Sequence, residues 1–187
     1  MSIGMKLDSV EKLEALLSEP GNELVELMKR LDGDIMILGI AGKMGVTMGR
    51  LAVRAIREAG VDKKVIGVAR FSNPKEREKL QSWGIETIAC DLLDSGAVRQ
   101  LPQAENVIFM AGRKFGTDGS EAQTWAMNVL APAFVADHFR NSRIVAFSTG
   151  CVYPLVGVES GGCTEEIVPA PVGEYSQSCL GRERIFQ

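Results

Sequence analysis

The chain has 187 residues, of which 45% are hydrophobic and 24% charged, and its formal net charge is −3. This length is enough for one domain with a sizeable core, and the composition is ordinary for a globular protein. The weak negative charge does not favour nucleic acid or an anionic membrane as a partner.

The cysteines and the single histidine, His138, do not indicate a metal site. The four cysteines show neither the CxxC spacing nor a Cys/His ligand spacing. No apolar run approaches the roughly 20 residues of a membrane helix. The N-terminal stretch carries acidic residues and lacks the apolar segment of a secretory signal. We therefore expect no metal, reduced thiols, no membrane contact and a cytoplasmic location.

The first predicted elements are two short helices within residues 9–31, separated by the sequence EPGN. Ser9 is a candidate N-cap of the first helix, and Pro20 is expected near the first turn of the second. Residues 1–33 are therefore predicted to form a helical extension. Three roles stay open for it: covering a sheet edge, forming a subunit contact in a homo-oligomer, or standing as a solvated cap.

From residue 34 onward, short apolar strands alternate with helices. Strands are predicted at 34–40, 64–69, 85–90, 106–111 and 143–148, and helices at about 46–59, 74–83, 94–100 and 120–140. A last helix is predicted to start near Tyr175, after a loop rich in glycine and proline. This alternation is typical of a parallel sheet with helices on both faces. The sequence therefore predicts a doubly wound, Rossmann-like α/β fold over residues 34–187.

The stretch GIAGKMG follows the first predicted strand, opens a helix and contains Gly39, Gly42 and Gly45. Glycines at such a turn let the backbone approach a pyrophosphate, whose charge is favoured by the helix N-terminus. We therefore predict a dinucleotide site that includes these glycines with Lys43 and Met44, although glycines also serve an ordinary tight turn. A P-loop is disfavoured because Met44, and not Ser or Thr, follows Lys43.

The end of the second predicted strand bears on the choice between NAD and NADP. An NAD site usually places an acid there, which accepts a hydrogen bond from the ribose 2′-hydroxyl. Here Arg70 stands in that neighbourhood, with Ser72 and Lys75 close by. Because a guanidinium suits a 2′-phosphate, NADP is predicted in preference to NAD. The alternative is that Arg70 is a solvated charge at the strand end.

Six stretches occur in a fixed order: GIAGKMG, CDLLD, VIFMAG, MNV, FSTGCVYP and EYSQSCLGRE. With them, residues 35–186 resemble the extended short-chain dehydrogenases, the NAD-dependent epimerase/dehydratase family. The resemblance implies that Asp91 and Leu92 hold the adenine ring of the cofactor. It also implies that Ala111 and Gly112 lie along the cofactor and that Asn128 braces the active site.

These residues also have structural alternatives, which stay open at this point. Asp91 is a candidate N-cap of the following helix. Ala111 and Gly112 are typical of a turn, and Asn128 suits a solvated position on a helix.

The resemblance further implies that Thr149 and Tyr175 are catalytic, and here the chain departs from the family. Tyr175 matches the tyrosine of the motif Y-x-x-x-K, whose lysine lowers the tyrosine pKa and binds the nicotinamide ribose. Cys179 stands at the lysine position, and no lysine follows residue 114. Arg182 is expected to lie too far from Tyr175, at about 10 Å along the helix axis, to replace it. For Thr149 the alternative is a loop hydroxyl bonded to its own backbone.

Two functions follow from this pattern. The first is an NAD(P)-dependent epimerase, dehydratase or oxidoreductase with atypical acid/base groups, acting on an unidentified small molecule. The second is a regulatory or interaction protein that binds the dinucleotide without turnover. Thr149 and Tyr175 favour the first function, whereas Cys179 favours the second. Family members usually continue into a smaller substrate-binding domain, which this chain apparently lacks.

Overall fold

The structure is a computed structural model that describes residues 7–114, 116 and 118–187. The first six residues of the predicted helical extension lie outside the described residues. The chain divides into two compact units, Met1–Ala89 and Cys90–Gln187.

The first unit contains four helices and three parallel strands. In chain order they are α1 (Val10–Leu17), α2 (Asn22–Arg30), β1 (Ile35–Leu38), α3 (Lys43–Ala59), β2 (Val65–Ala69), α4 (Pro74–Ser82) and β3 (Glu86–Ala89). The strands lie in the order β3-β2-β1, with Ile35 opposite Val65 and Ile66 opposite Glu86. Every residue of β1 is buried, as expected for a central strand covered on both faces.

Within the first unit, the helical extension packs against the rest of the unit through side chains of α3 and α4. Arg54 donates a hydrogen bond to the carbonyl of Ala15 at 2.7 Å, and Lys79 forms a salt bridge with Glu14 at 2.6 Å. Ser9 caps α1 as predicted, since its hydroxyl accepts from a backbone N–H of the first turn. Pro20 lies directly before Gly21, the N-cap of α2, and so stands near the first turn of that helix as expected.

The second unit contains two parallel strands and the remaining helices. In chain order they are α5 (Ser95–Arg99), β4 (Asn106–Phe109), α6 (Glu121–Trp125), a π-helical turn (Ala126–Leu130), α7 (Ala131–His138), β5 (Arg143–Ala146) and α8 (Gly173–Phe186). Short 3₁₀ turns occupy Gly150–Val152 and Val158–Ser160. Asn106 of β4 lies opposite Arg143 of β5. The fully buried side chains of Phe109, Val135 and Phe139 belong to the core of this unit.

The predicted α/β class is confirmed, because parallel strands alternate with helices in both units. Several boundaries differ by a few residues from the sequence-based expectation, and two differences have a clear structural cause. The first strand ends at Leu38, since Gly39 adopts a φ of 90° that no strand residue adopts. The helix predicted over 120–140 contains the π-helical turn in its middle. In the part of the chain that the structure describes, no helix has both the length and the apolar character of a membrane span.

The core of the second unit offers a direct test of this packing. Val135 is fully buried, whereas Val158 is 96% exposed. We expect Val135→Ala to lower the free energy of unfolding by about 2 kcal/mol, because buried methyl groups are lost and a cavity remains. Val158→Ala is the matched control and should change it by less than about 0.5 kcal/mol. Urea denaturation measures both, and equal values would contradict the assigned core.

Candidate functional site

The glycine turn between β1 and α3 is closed by its own backbone. The N–H of Gly39 donates to the carbonyl of Val68 at 2.8 Å, and the carbonyl of Gly39 accepts from the N–H of Gly42 at 3.1 Å. The φ of Gly39 lies in the left-handed region, which glycine enters without strain. The turn therefore requires glycine at position 39 for conformational reasons alone.

Gly45 is required for a different reason, which is close contact. A Cβ atom at this position would lie 2.4 Å from the carbonyl oxygen of Ile40 and 2.7 Å from its Cα. No side chain fits between these backbone atoms. The first turn of α3 consequently packs directly on the turn that follows β1.

The N-terminus of α3 is open to solvent. Gly42 is its N-cap, and no side chain of the described residues caps it; its first turn contains no acid. Gly42, Lys43 and Met44 are all exposed. Free N–H groups and the positive end of the helix dipole favour an anion at such a terminus, and Lys43 adds a full positive charge nearby.

Arg70 is exposed just beyond the carboxyl end of β2. Among the described residues it has no hydrogen bond or ion pair. The next residue, Phe71, has a φ of 51°, a conformation uncommon for a residue other than glycine. Arg77 lies 5.5 Å from the Phe71 ring, and its guanidinium also donates to Thr87 at 3.0 Å. The chain direction after β2 is thus held in place, while the charge of Arg70 stays available to a ligand.

In the second unit, Asp91 is exposed and its carboxylate accepts from the N–H of Leu93 at 3.0 Å. The N-cap of α5 is Asp94, whose side chain accepts from two backbone N–H groups of that helix. The N-cap alternative for Asp91 is therefore wrong. Leu92 is buried, with only 5% of its surface exposed.

Asn128 is fully buried in the π-helical turn and is the centre of a hydrogen-bond network. Its Oδ1 accepts from the N–H of Arg113 at 2.8 Å and from Nη2 of Arg182 at 3.0 Å. Its Nδ2 donates to the carbonyl of Arg113 at 3.0 Å and to Oγ of Ser178 at 2.9 Å. The amide thus uses both of its donors and both acceptor lone pairs, and the alternative of a solvated helix position is wrong.

Ala111 and Gly112 follow β4, and Gly112 lies against this network. A Cβ atom on Gly112 would lie 2.8 Å from Nη2 of Arg182 and 3.2 Å from Oδ1 of Asn128. The φ of Gly112 is not positive. Close approach to these side chains, and not a left-handed turn, therefore accounts for the glycine.

Tyr175 is half-buried on α8, with Thr149 and Cys179 beside its hydroxyl. Burial raises the pKa of Tyr175, and Cys179 raises this pKa further, whereas a hydrogen bond with Thr149 and the charge of Arg182 lower it. Thr149 also accepts from the N–H of Cys151 at 3.3 Å, so the backbone-bonded alternative is present alongside the contact with Tyr175.

Cys179 is completely buried and supplies no charge to Tyr175. Burial raises the pKa of the Cys179 thiol, while the charge of Arg182 opposes this effect. With a raised pKa the thiol is neutral at pH 7. The group at the position of the expected lysine is therefore an uncharged side chain.

The side chain of Arg182 reaches Cys179, the residue at the position of the expected lysine, while its expected separation from Tyr175 stays a prediction. Its Nη2 lies 3.7 Å from Sγ of Cys179, and its charge acts on the pKa of Tyr175. Side chains on a helix lean toward its N-terminus, and the arginine side chain is long, so the axial rise between Cα atoms overstates the separation. The three-residue spacing from Cys179 was the signal in the sequence that could have revealed this contact.

Comparison with known proteins identifies the family and the fold of this chain. The sequence profile of the NAD dependent epimerase/dehydratase family matches residues 35–186. No curated protein sequence matches the chain. Three similar solved structures share the fold. MoeE5 in complex with UDP-glucose and NAD has a TM-score of 0.62 and 21% identity, covering 82% of this chain and 48% of that one.

WbmG from Bordetella bronchiseptica, in complex with NAD and UDP, has a TM-score of 0.66 and 21% identity, covering 83% of this chain and 49% of that one. ADP-L-glycero-D-manno-heptose-6-epimerase from Helicobacter pylori has a TM-score of 0.68 and 17% identity. The match covers 88% of this chain and 52% of that one. The chain thus spans about half the length of these proteins. At these identities the likeness shows the Rossmann-like fold.

The network around Asn128 yields a stability test with a matched control. Asn128→Ala removes four hydrogen bonds and leaves buried polar groups of Arg113, Ser178 and Arg182 without this partner. We expect a loss of about 3 kcal/mol in the free energy of unfolding. Asn141→Ala, at an exposed position of the same unit, should cost less than about 0.5 kcal/mol. Thermal and urea unfolding measure both, and a loss below 1 kcal/mol for Asn128→Ala would contradict this role of the amide.

Proposed function

The chain belongs to the NAD dependent epimerase/dehydratase family, and on that premise we propose that it binds NAD(P) through the glycine turn that precedes α3. The observation that carries this proposal is the contact of Gly45 with Ile40, where a Cβ atom would lie 2.4 Å from the carbonyl oxygen. This contact fixes the start of α3 while Gly42 leaves its N–H groups uncovered. Such a terminus suits the pyrophosphate of a dinucleotide.

Within the first unit, Lys43 and Arg70 are assigned to the anionic groups of the cofactor. Lys43 extends from the first turn of α3 and is exposed. Arg70 is also exposed, and its guanidinium offers paired donors that match a phosphate. The absence of an acid at this strand end supports NADP over NAD, since a carboxylate there would repel a 2′-phosphate.

Within the second unit, Asp91, Leu92, Ala111 and Gly112 are proposed to contact the cofactor, as the family resemblance implies. For Gly112 a further argument applies, because this residue is exposed and therefore accessible to a ligand. Leu92 is buried, so its proposed contact is confined to the small part of the residue that stays exposed.

Thr149 and Tyr175 are proposed to handle a proton. Burial raises the pKa of Tyr175, so its hydroxyl is protonated at neutral pH. Tyr175 is therefore suited to donate a proton or hydrogen bond to a developing oxyanion, with Thr149 orienting its hydroxyl. NAD(P), when bound, would supply hydride chemistry. We propose a sugar nucleotide as the substrate class, because MoeE5 was solved with UDP-glucose.

The second candidate function is binding of NAD(P) without turnover. It is favoured by Cys179, which is buried and neutral and so cannot provide the charge that a catalytic lysine provides. Incubation of the protein with UDP-glucose after loading with NADP and, separately, with NAD, followed by product analysis, separates the two. Product formation that is lost in Tyr175→Phe supports the enzyme, whereas cofactor binding without product supports the binding protein.

The open terminus of α3 can be tested with a substitution that preserves the helix. Gly42→Asp introduces a good N-cap residue in an ordinary backbone conformation, but it places a negative charge where the phosphates would bind. We expect the affinity for NADPH to fall by about tenfold or more. Because the added Cβ atom would lie 3.3 Å from the carbonyl oxygen of Gly39, urea unfolding of the variant checks that the lower affinity does not come from a loss of stability. Fluorescence titration measures the affinity.

Gly21→Asp is the matched control for this substitution. Gly21 is the N-cap of α2 and has nearly the same φ and ψ as Gly42. It should leave the affinity for NADPH unchanged. Equal affinity in Gly42→Asp and the parent protein would exclude the terminus of α3 as the phosphate site, and no binding of NADPH or NADH at millimolar concentration would overturn the proposal itself.

Arg70 decides the expected preference for NADP. We expect Arg70→Ala to weaken NADPH binding by about tenfold or more, because a charge-assisted pair with the 2′-phosphate is lost, and to leave NADH binding nearly unchanged. Arg30→Ala, which removes an exposed arginine from α2 of the same unit, is the control. Calorimetric titration with both cofactors measures the effect, and an equal loss for NADPH and NADH would show that Arg70 is only a solvated charge.

A further inference from the structure

Arg182 is a buried cation without an acidic partner. Arg182 is only 6% exposed. Among the described residues, no carboxylate forms a salt bridge with it. Its Nε atom is buried and has no hydrogen-bond partner. A buried and uncompensated charge is costly, and such groups concentrate at functional sites.

The groups that contact this guanidinium are all neutral. Nη1 donates to the carbonyl of Phe147 at 2.8 Å, and Nη2 donates to Oδ1 of Asn128 at 3.0 Å. Nη2 also contacts Sγ of Cys179 at 3.7 Å, and the guanidinium lies 5.8 Å from the centre of the Phe109 ring. None of these partners balances the positive charge.

The guanidinium occupies space that is free because residue 112 is a glycine. A Cβ atom on Gly112 would lie 2.8 Å from Nη2, so any other residue there would displace the side chain. The amide of Asn128 is in turn fixed by the backbone of Arg113 and by Ser178. The position of the charge is therefore set by several elements of the second unit, and not by α8 alone.

We propose that Arg182 is a positioning residue that supplies the positive charge for Tyr175, from one helical turn beyond the site where Cys179 replaces a lysine. When the hydroxyl of Tyr175 gives its proton to an acceptor oxygen, the electron pair of the broken O–H bond stays on the phenolate. Arg182 stabilises that negative charge. This inference rests on the proposed function only in treating Tyr175 as the proton donor.

The surroundings of Tyr175 contain few competing charges. The charge of Arg182 lowers the pKa of Tyr175, against the raising effects of burial and of Cys179. Thr149 contributes a hydrogen bond and no charge. Cys151 and Glu183 are the other ionisable groups here, and both act on the pKa of Cys179. Arg182 is the cation whose side chain reaches this part of α8, since its Nη2 lies 3.7 Å from Sγ of Cys179, four residues after Tyr175 on the same helix.

The test is the titration of Tyr175 by ultraviolet difference absorbance, without cofactor, in a Tyr153→Phe background that removes the other tyrosine. With Arg182→Met, we expect the phenolate fraction at a fixed alkaline pH to fall at least about twofold, because the stabilising charge is gone. Arg182→Lys should restore most of it. Arg184→Met, at an exposed position of the same helix, should leave it unchanged.

An unchanged titration in a folded Arg182→Met variant would overturn the proposal and leave Arg182 a purely structural side chain. If that variant does not fold, as judged by circular dichroism, Gly112→Ala serves instead, since it displaces the guanidinium without changing the charge of the chain. A lower phenolate fraction in Gly112→Ala supports the proposal, and an unchanged one overturns it. Because no cofactor is present, failure of NADPH binding is a separate result that concerns the proposed function alone.

Discussion

The candidate site of the second unit depends on the hydrogen bonds of one buried side-chain amide, that of Asn128. Its four hydrogen bonds connect the loop after β4, the π-helical turn and α8. In an α-helix, successive side chains are rotated about the helix axis by a constant angle, and the π-helical turn changes this rotation. Such turns are frequent at functional sites. One side chain thereby orders three segments around Tyr175. Ser178 extends the connection, since its hydroxyl donates to the carbonyl of Tyr175 at 2.8 Å.

The glycine turn of the first unit follows a different physical rule, because it is built by the backbone and by the absence of side chains. Gly39 supplies a left-handed conformation, and Gly45 permits contact between α3 and the backbone of Ile40. The result is an uncapped helix terminus with a lysine in its first turn. Such a terminus attracts an anion whatever the rest of the ligand is. The ability of this unit to bind the phosphates of a dinucleotide therefore does not depend on the acid/base groups of α8.

Cys179 stands where the family resemblance predicts a lysine, and a thiol there differs from a lysine in its charge more than in its packing. The thiol is neutral and fits a fully buried position, which a lysine ammonium would occupy only at a desolvation cost. The positive charge is instead carried by Arg182, one turn further along the helix. A guanidinium keeps its charge when buried far more readily than an ammonium does. The same helix face can thus combine a buried thiol with a permanent cation, at the cost of leaving Nε of Arg182 without an acceptor.

The sequence by itself determined the α/β class, the order of the elements and the glycine turn. These features depend on local patterns: apolar runs such as Ile35–Leu38, and glycines placed directly after a strand. Tertiary structure alone decided that Asp94 and not Asp91 caps α5, that Asn128 is buried, and that Arg182 reaches Cys179. Each of these depends on the direction of a side chain, and the burial of Asn128 depends also on contacts with Arg113, Ser178 and Arg182, which lie far from it in the chain. Spacing along a helix gives the rise between Cα atoms, but only packing decides where a long side chain ends.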